Sequence, residues 1–306
     1  MEQSNISIVS PSIMTENPTG KTKGTSISLP SGSSLQNAKE KFKSKWVKEL
    51  FQEDYSAWDT MKIALAEFIG TAILVFIGCM GCVGSLGNQP LSLHSSLGFG
   101  LAVMIVILSI GHISDAHINP AITVGAVVLG KKSLRLAAVY LVAQCLGAVV
   151  GYGLLKVVTP QSLLYGVGGP DTTANFCITA IHKDISLIQG FLAEVIATAI
   201  LMLMACGIWD VRNERNTDSV ALKFAFGVTA LCMAVAPYTG CSMNPARSLG
   251  PAIWNNSWSD HWVFWFGPIA GSLLSSIMYR SIFSPAKGKP EDGLNFDATE
   301  VRKPEV

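Results

Sequence analysis

The sequence predicts an all-α membrane protein with six transmembrane helices plus two re-entrant half-helices in an inverted repeat. Three observations carry that reading. Only 14% of the 306 residues are charged while 49% are hydrophobic, where an ordinary soluble domain has roughly 25% charged. The charges are also crowded toward the ends: residues 1–59 hold 14 of the 43, residues 284–306 hold nine, and the 224 residues between hold 20. Finally, six apolar runs each come close to the ~20 residues that cross ~30 Å of hydrocarbon as a helix, and two shorter runs both open on Asn-Pro-Ala.

Residues 1–38 read as a disordered polar tail without the apolar core of a cleavable signal peptide. Residues 39–58 place Phe42, Trp46, Val47, Leu50 and Phe51 at helical spacing among lysines. They suit an amphipathic helix on an anionic membrane face and a solvated linker equally well. The expected organisation is a cytoplasmic N-terminal tail at 1–58, a membrane core at 59–284 with repeats 59–156 and 187–284, and a cytoplasmic C-terminal tail at 285–306.

The six long runs are 62–83, 91–111, 136–155, 187–208, 220–236 and 262–283. Glu67 and Glu194 lie deep within them, whereas Lys62, Lys223 and Arg280 stand near ends, where a long side chain can snorkel. Lys131, Lys132, Arg135, Arg212 and Arg215 fall on the side of the Lys-rich N-terminal tail, and the opposite loops carry little beyond Lys156 and Lys183. The bias toward basic residues on the cytoplasmic side puts both termini there. The remaining runs, 119–130 and 244–254, are too short to span and predict half-helices.

The halves of the core repeat. Ala66-Glu67 in AEFIGT matches Ala193-Glu194 in AEVIAT; Glu67 precedes Asn119 by 52 residues and Glu194 precedes Asn244 by 50. The helix after each Asn-Pro-Ala has a small-xxx-small pair, Gly147/Gly151 and Gly267/Gly271, which permits close helix contact. Three spans per repeat is an odd number, so the second copy is inverted and the site lies near the midplane where the copies meet.

Other classes are poorly served. A net charge of +1 offers no footprint for nucleic acid. The seven cysteines show no metal-ligand spacing; Cys79, Cys82, Cys145, Cys177 and Cys206 read as small buried hydrophobes. No nucleophile–base or metal constellation points to an enzyme, and no cofactor is implied. A secondary transporter shares the inverted repeat, but the ion-coupling carboxylates it would need are missing from the sequence.

With HINPA at 117–121, TGCSMNPARS at 239–248, the paired Ala-Glu motifs and HWVFWFGP at 261–268, the core resembles the aquaporin (major intrinsic protein) family across about residues 59–284. The resemblance implies a passive channel for water and small uncharged solutes in a lipid bilayer, assembled as a homotetramer, most naturally in the plasma membrane. A junctional membrane protein with vestigial conduction is the remaining variant, since some family members resemble one.

Asn119 and Asn244 are strong N-caps, and Pro120 and Pro245 lose no hydrogen bond at the first helical position. Ala121 and Ala246 keep the crossing of the half-helices small. The asparagine NH2 groups are left as donors where two positive helix ends converge, so a water held there cannot pass a proton to its neighbour. Each membrane-depth glutamate needs partners, and the irregular backbone leading into the half-helices offers N–H groups. Support of those loops, not a proton relay, is the expected role of Glu67 and Glu194. His117 is expected to tether its loop in preference to gating a pore, and Asp115 suggests pairing with a cytoplasmic base.

By the same resemblance, Phe99 (in SLGFG), Cys232, Cys241 and Arg247 form the narrowest constriction. The water-only pattern has histidine where this chain has Cys232. A smaller, less polar side chain widens the gap, which predicts passage of glycerol, urea and other small polyols. Ser248 after Arg247, and the Phe264-Trp265 pair, instead fit the water-selective scaffold, so a water-selective channel with little glycerol flux is the alternative. The combination is similar to the insect entomoglyceroporin subgroup. Asn255-Asn256-Ser257 is a glycosylation sequon placed too near a half-helix for easy access.

Overall fold

A computed structural model describes Phe51, residues 55–83, 92–160, Leu163 and 177–284. The tails and most of the predicted amphipathic segment at 39–58 lie outside the described residues. Within those residues the chain is helical, with no strand. In order these helices are α1 (Ala57–Met80), α2 (Ser92–Ser114), α3 (Pro120–Val128), α4 (Leu134–Val158), α5 (Leu187–Ile208), α6 (Val220–Thr239), α7 (Pro245–Asn255) and α8 (Val263–Met278).

Their boundaries follow local chemistry. α1 starts five residues before the predicted run because the Ser56 side chain accepts from Asp59 N at 3.1 Å. Ser133 caps α4 and Ser186 caps α5 with a capping box closed by Gln189. α1, α2, α4, α5 and α6 are long and apolar enough to cross a bilayer. α8 has only 16 residues as α-helix and continues through a five-residue π turn, Tyr279–Phe283. That turn is tied to the α5–α6 connection: the Tyr279 hydroxyl donates to Asp210 at 2.8 Å, and Arg212 donates to both Asp210 and the Phe283 carbonyl. The Arg212 guanidinium holds the Asp210 carboxyl well below the usual carboxylate range.

Apolar side chains cover the outside as well as filling the core, and polar groups are buried among them. Leu108, Val142, Ile188, Phe226 and Phe266 are all more than 60% exposed, whereas Glu67, Glu194, Thr71 and Gln144 are fully buried. An apolar exterior around a core that holds buried carboxylates and amides suits a hydrocarbon solvent, where buried polar groups must find partners within the protein.

Packing repeats with the sequence. α1 packs on α4 and α5 on α8; α2 meets α6 across the centre; each half-helix lies against the last span of the other repeat, α3 on α8 and α7 on α4. A Cβ at Gly147 or Gly151 would run into the backbone of Phe68 or Ala72 on α1. One at Gly271 would strike Val195 O and Ala199 N on α5, and one at Gly267 the Glu194 Cβ. These contacts predict that Gly151→Val and Gly271→Val each cost at least ~2 kcal/mol through overpacking, read as a lower melting temperature in detergent. Gly207→Ala, with nothing within 4 Å of an added Cβ, should melt with the parent.

One sequence expectation is corrected. Cys79 and Cys177, read as separate buried hydrophobes, are joined by a disulfide across 98 residues with Cα atoms 5.4 Å apart. Cys79 ends an apolar helix and so carries no outward sign of its partner. The other five cysteines are free.

Candidate functional site

The segments entering the two half-helices have the same conformation. After α2, Asp115, Ala116 and Ile118 take positive φ of 65°, 48° and 45°. After α6, at the equivalent positions four, three and one residues before the asparagine, Gly240, Cys241 and Met243 take 74°, 52° and 49°. Five of these six residues carry a Cβ, for which the left-handed region is costly. The conformation turns the loop amides toward one buried carboxylate in each repeat.

Glu67 accepts from His117 N (2.9 Å), Ile118 N (2.7 Å), Ser114 Oγ (2.7 Å) and Gln144 Nε2 (2.8 Å). Glu194 accepts from Ser242 N and Met243 N, both at 2.8 Å, and from Thr239 Oγ1 at 2.6 Å. Loop amides that would be unpaired at membrane depth are thereby satisfied. Each loop is fastened once more to its own half-helix, His117 Nδ1 lying 3.1 Å from Thr123 Oγ1 and Ser242 Oγ 2.7 Å from Ser248 Oγ. The His117 ring also sits between Tyr140 and Trp209, with centroids 5.0 and 5.4 Å away. Asp115 pairs with Lys132 at 2.8 Å, on the face that carries the basic loops.

At the centre, Asn119 Oδ1 accepts from Ala121 N at 2.8 Å, and Asn244 Oδ1 accepts from Ala246 N and Arg247 N at 3.0 and 3.3 Å. The NH2 groups are not wholly free. Asn119 Nδ2 donates to Met243 O and Asn244 Nδ2 to Ile118 O, both at 2.8 Å. Each asparagine therefore clasps the opposite loop with one N–H, and an amide nitrogen has a second to offer.

A cavity of about 110 Å³ passes these groups, room for several waters at ~10–15 Å³ each on the same measure. Its lining includes Asp115, Trp209, Val220 and Phe224 together with Asn119, Asn244, Phe99, Cys232, Cys241 and Arg247. Glu67 and Glu194 stand behind the wall and do not line it. Arg247 is 5% exposed, with its Cζ 4.7 Å from the Phe99 ring centroid. Its Nη1 donates to the Cys177 carbonyl at 2.8 Å, and Nη2 lies 3.5 Å from the Cys177 sulfur. The Cys241 thiol donates to the Leu231 carbonyl at 3.7 Å, one residue from Cys232. Cavity-lining polarity is thus concentrated in a few groups along otherwise apolar walls.

Two contributors have no signature in the sequence. Gln144 looks like an incidental polar residue in an apolar run, yet its Nε2 donates to both Glu67 and Thr123. The Cys177 carbonyl is a backbone group in a loop without pattern. Asn255, in the sequon, has its amide nitrogen engaged by Tyr152 OH and Pro251 O.

A family model for the major intrinsic proteins matches residues 54–279. Aquaporin-4 of Mus musculus is 38% identical over 228 residues, covering 73% of this chain and 68% of that protein. Aquaporin-2 of Rattus norvegicus is 36% identical over 242 residues, covering 78% and 86%. The X-ray structure of the aquaglyceroporin from Plasmodium falciparum superposes with a TM-score of 0.62 at 26% identity, covering 73% of this chain and 97% of that one. With a cavity of a few polar groups on apolar walls beside two half-helices, inside an apolar exterior, the chain belongs to the major intrinsic protein family, and is a multi-pass membrane channel and not an enzyme.

Proposed function

We propose that the protein conducts water and small uncharged solutes, glycerol and urea among them, and excludes protons and ions. The observation that carries the solute range is that Cys232 and Cys241 line the same cavity as Phe99 and Arg247. Two thiols occupy space that the water-only pattern gives partly to a histidine, so the constriction is wider and makes fewer hydrogen-bond demands. This cysteine-bearing ring supports placing the chain beside the entomoglyceroporin-like branch. The aquaglyceroporin among its structural neighbours is in keeping with that solute range.

In this reading a solute at the centre accepts from the second N–H of Asn119 and of Asn244. A water held by both points its own hydrogens outward, and the proton relay is broken there. The half-helix N-termini, each equivalent to roughly half a positive charge, add an electrostatic barrier. Arg247 supplies another at the constriction. A second reading, a water-selective channel, draws on the Phe99 ring stacked against Arg247, which narrows the path.

The proposal extends to orientation and assembly. The Cys79–Cys177 disulfide supports an oxidising, outward environment for the face where α1 ends, and the basic loops lie on the other. Both termini are then cytoplasmic, with 1–58 and 285–306 as tails on a core of 59–284, in a plasma-membrane homotetramer. The exposed apolar helix faces suit both lipid and neighbouring subunits.

The test is stopped-flow light scattering on proteoliposomes in water, glycerol and urea gradients. The parent should pass all three above empty-liposome background. Cys232→His should lower glycerol flux about tenfold, equivalent to ~1.4 kcal/mol at the barrier, while water flux changes little. Glycerol flux that is unaltered by the histidine would defeat the argument from width; a parent that passes water alone would establish the second reading.

A further inference from the structure

We infer that the Cys79–Cys177 disulfide is a specificity-determining element of the channel, because it positions the carbonyl that holds Arg247. This deepens the reading of the constriction proposed above and rests on it. Cys177 contributes in two ways at once. Its sulfur is bonded to Cys79, a fully buried residue in the last turn of α1. Its carbonyl accepts from Arg247 Nη1 at 2.8 Å.

The backbone of Cys177 sits at φ 57°, in the left-handed region that residues with a Cβ rarely occupy. Among the described residues, Cys177 is held there by the covalent bond, by the guanidinium and by packing against the core. The same turn of α1 also frames the other side of Arg247. Gly78 abuts the Phe99 ring so closely that a Cβ would collide with it, and that ring lies 4.7 Å from Arg247 Cζ. The end of α1 therefore presents the arginine with an aromatic face through Gly78 and an acceptor through Cys79. Residues just after Cys177 are fastened independently, Thr179 Oγ1 donating to Ser248 Oγ at 2.9 Å and Ala180 N to Thr239 O at 3.2 Å, so losing the bond loosens the Cys177 carbonyl itself, and the guanidinium gains freedom to swing from the path.

The expected consequence is a change in selectivity, not in the amount of channel. Cys79→Ser and Cys177→Ser should each raise the ratio of glycerol to water permeability about threefold or more, since pore width is set at the constriction. The double variant should match either single one, because both remove one bond. Treating parent proteoliposomes with a trialkylphosphine should move the ratio the same way. That reagent breaks the S–S bond and, with water, becomes the phosphine oxide, leaving two thiols. Cys145→Ser, a free thiol away from this turn, should retain the parent ratio.

The ratio distinguishes positioning from folding, because a loss of folded protein lowers both permeabilities together. Denatured parent protein should label with an alkylating maleimide at five cysteines before reduction and seven after. Seven labels without reduction would overturn the inference. So would five labels together with an unchanged permeability ratio in both serine variants. A parent that passes neither water nor glycerol would instead overturn the proposed function itself.

Discussion

Glu194→Ala is expected to abolish the channel by unfolding the second half-helix entry, with no water flux above background and no cooperative melting transition in detergent. Three donors converge on that carboxylate: Ser242 N, Met243 N and Thr239 Oγ1. Each orphaned buried donor costs ~1–3 kcal/mol, so the loss is roughly 3–9 kcal/mol. That is comparable with the whole stability of a typical fold, about 5–15 kcal/mol. Glu194 is fully buried and stands behind the cavity wall, so its partners lose an acceptor that the protein does not replace. Moreover, Cys241 and Met243 hold positive φ, a conformation the carboxylate maintains against the intrinsic preference of both residues. Glu194→Gln keeps one acceptor oxygen and turns an NH2 toward the other donors, so it should melt between the parent and the alanine variant. The repeat supplies an internal control: Glu67 receives four donors, and Glu67→Ala should be at least as damaging. An alanine variant at either position with parent-like melting and flux would show that these loops hold their shape without the carboxylate.

That pairing of carboxylates explains how much could be read from residues alone. Glu67 and Glu194 are visible because hydrocarbon makes any lone charge conspicuous, and because Ala-Glu and Asn-Pro-Ala recur at nearly equal spacing. The glycine pairs are visible for a similar reason, since helix spacing and residue size decide where backbones approach. The helical membrane fold follows from these patterns. What each group touches does not. The asparagine NH2 groups look like free donors in sequence, but the inverted geometry brings Ile118 O and Met243 O within reach of them, and no one-dimensional pattern encodes that crossing. The disulfide is hidden because an oxidised cysteine and a buried apolar cysteine occupy the same kind of helix position. The π turn that lengthens the sixth span depends on Asp210, Arg212 and Tyr279, which meet only in three dimensions.

If the channel excludes ions as proposed, Arg247→Ala is expected to make it leak protons and monovalent cations while still passing water. Arg247 is the one permanently cationic side chain among the described residues lining the cavity, and it is 95% shielded by its surroundings, being 5% exposed. A unit charge ~4 Å from a permeating cation opposes it by ~4 kcal/mol at an effective dielectric of about 20. Removing it should raise proton and cation entry on the order of a hundredfold or more, given tenfold per ~1.4 kcal/mol. The barrier is not lost entirely, because the N-termini of α3 and α7 still converge at Asn119 and Asn244. A pH-sensitive dye trapped in proteoliposomes reports the proton leak, and a sodium-sensitive dye reports the cation. Glycerol flux should rise in the same variant, since truncation also removes the group stacked on Phe99. If glycerol rises and proton flux stays at the parent level, exclusion resides wholly in the half-helix ends and Arg247 governs size alone. If neither moves, Arg247 does not line the rate-limiting constriction, and the width argument built on Cys232 falls with it.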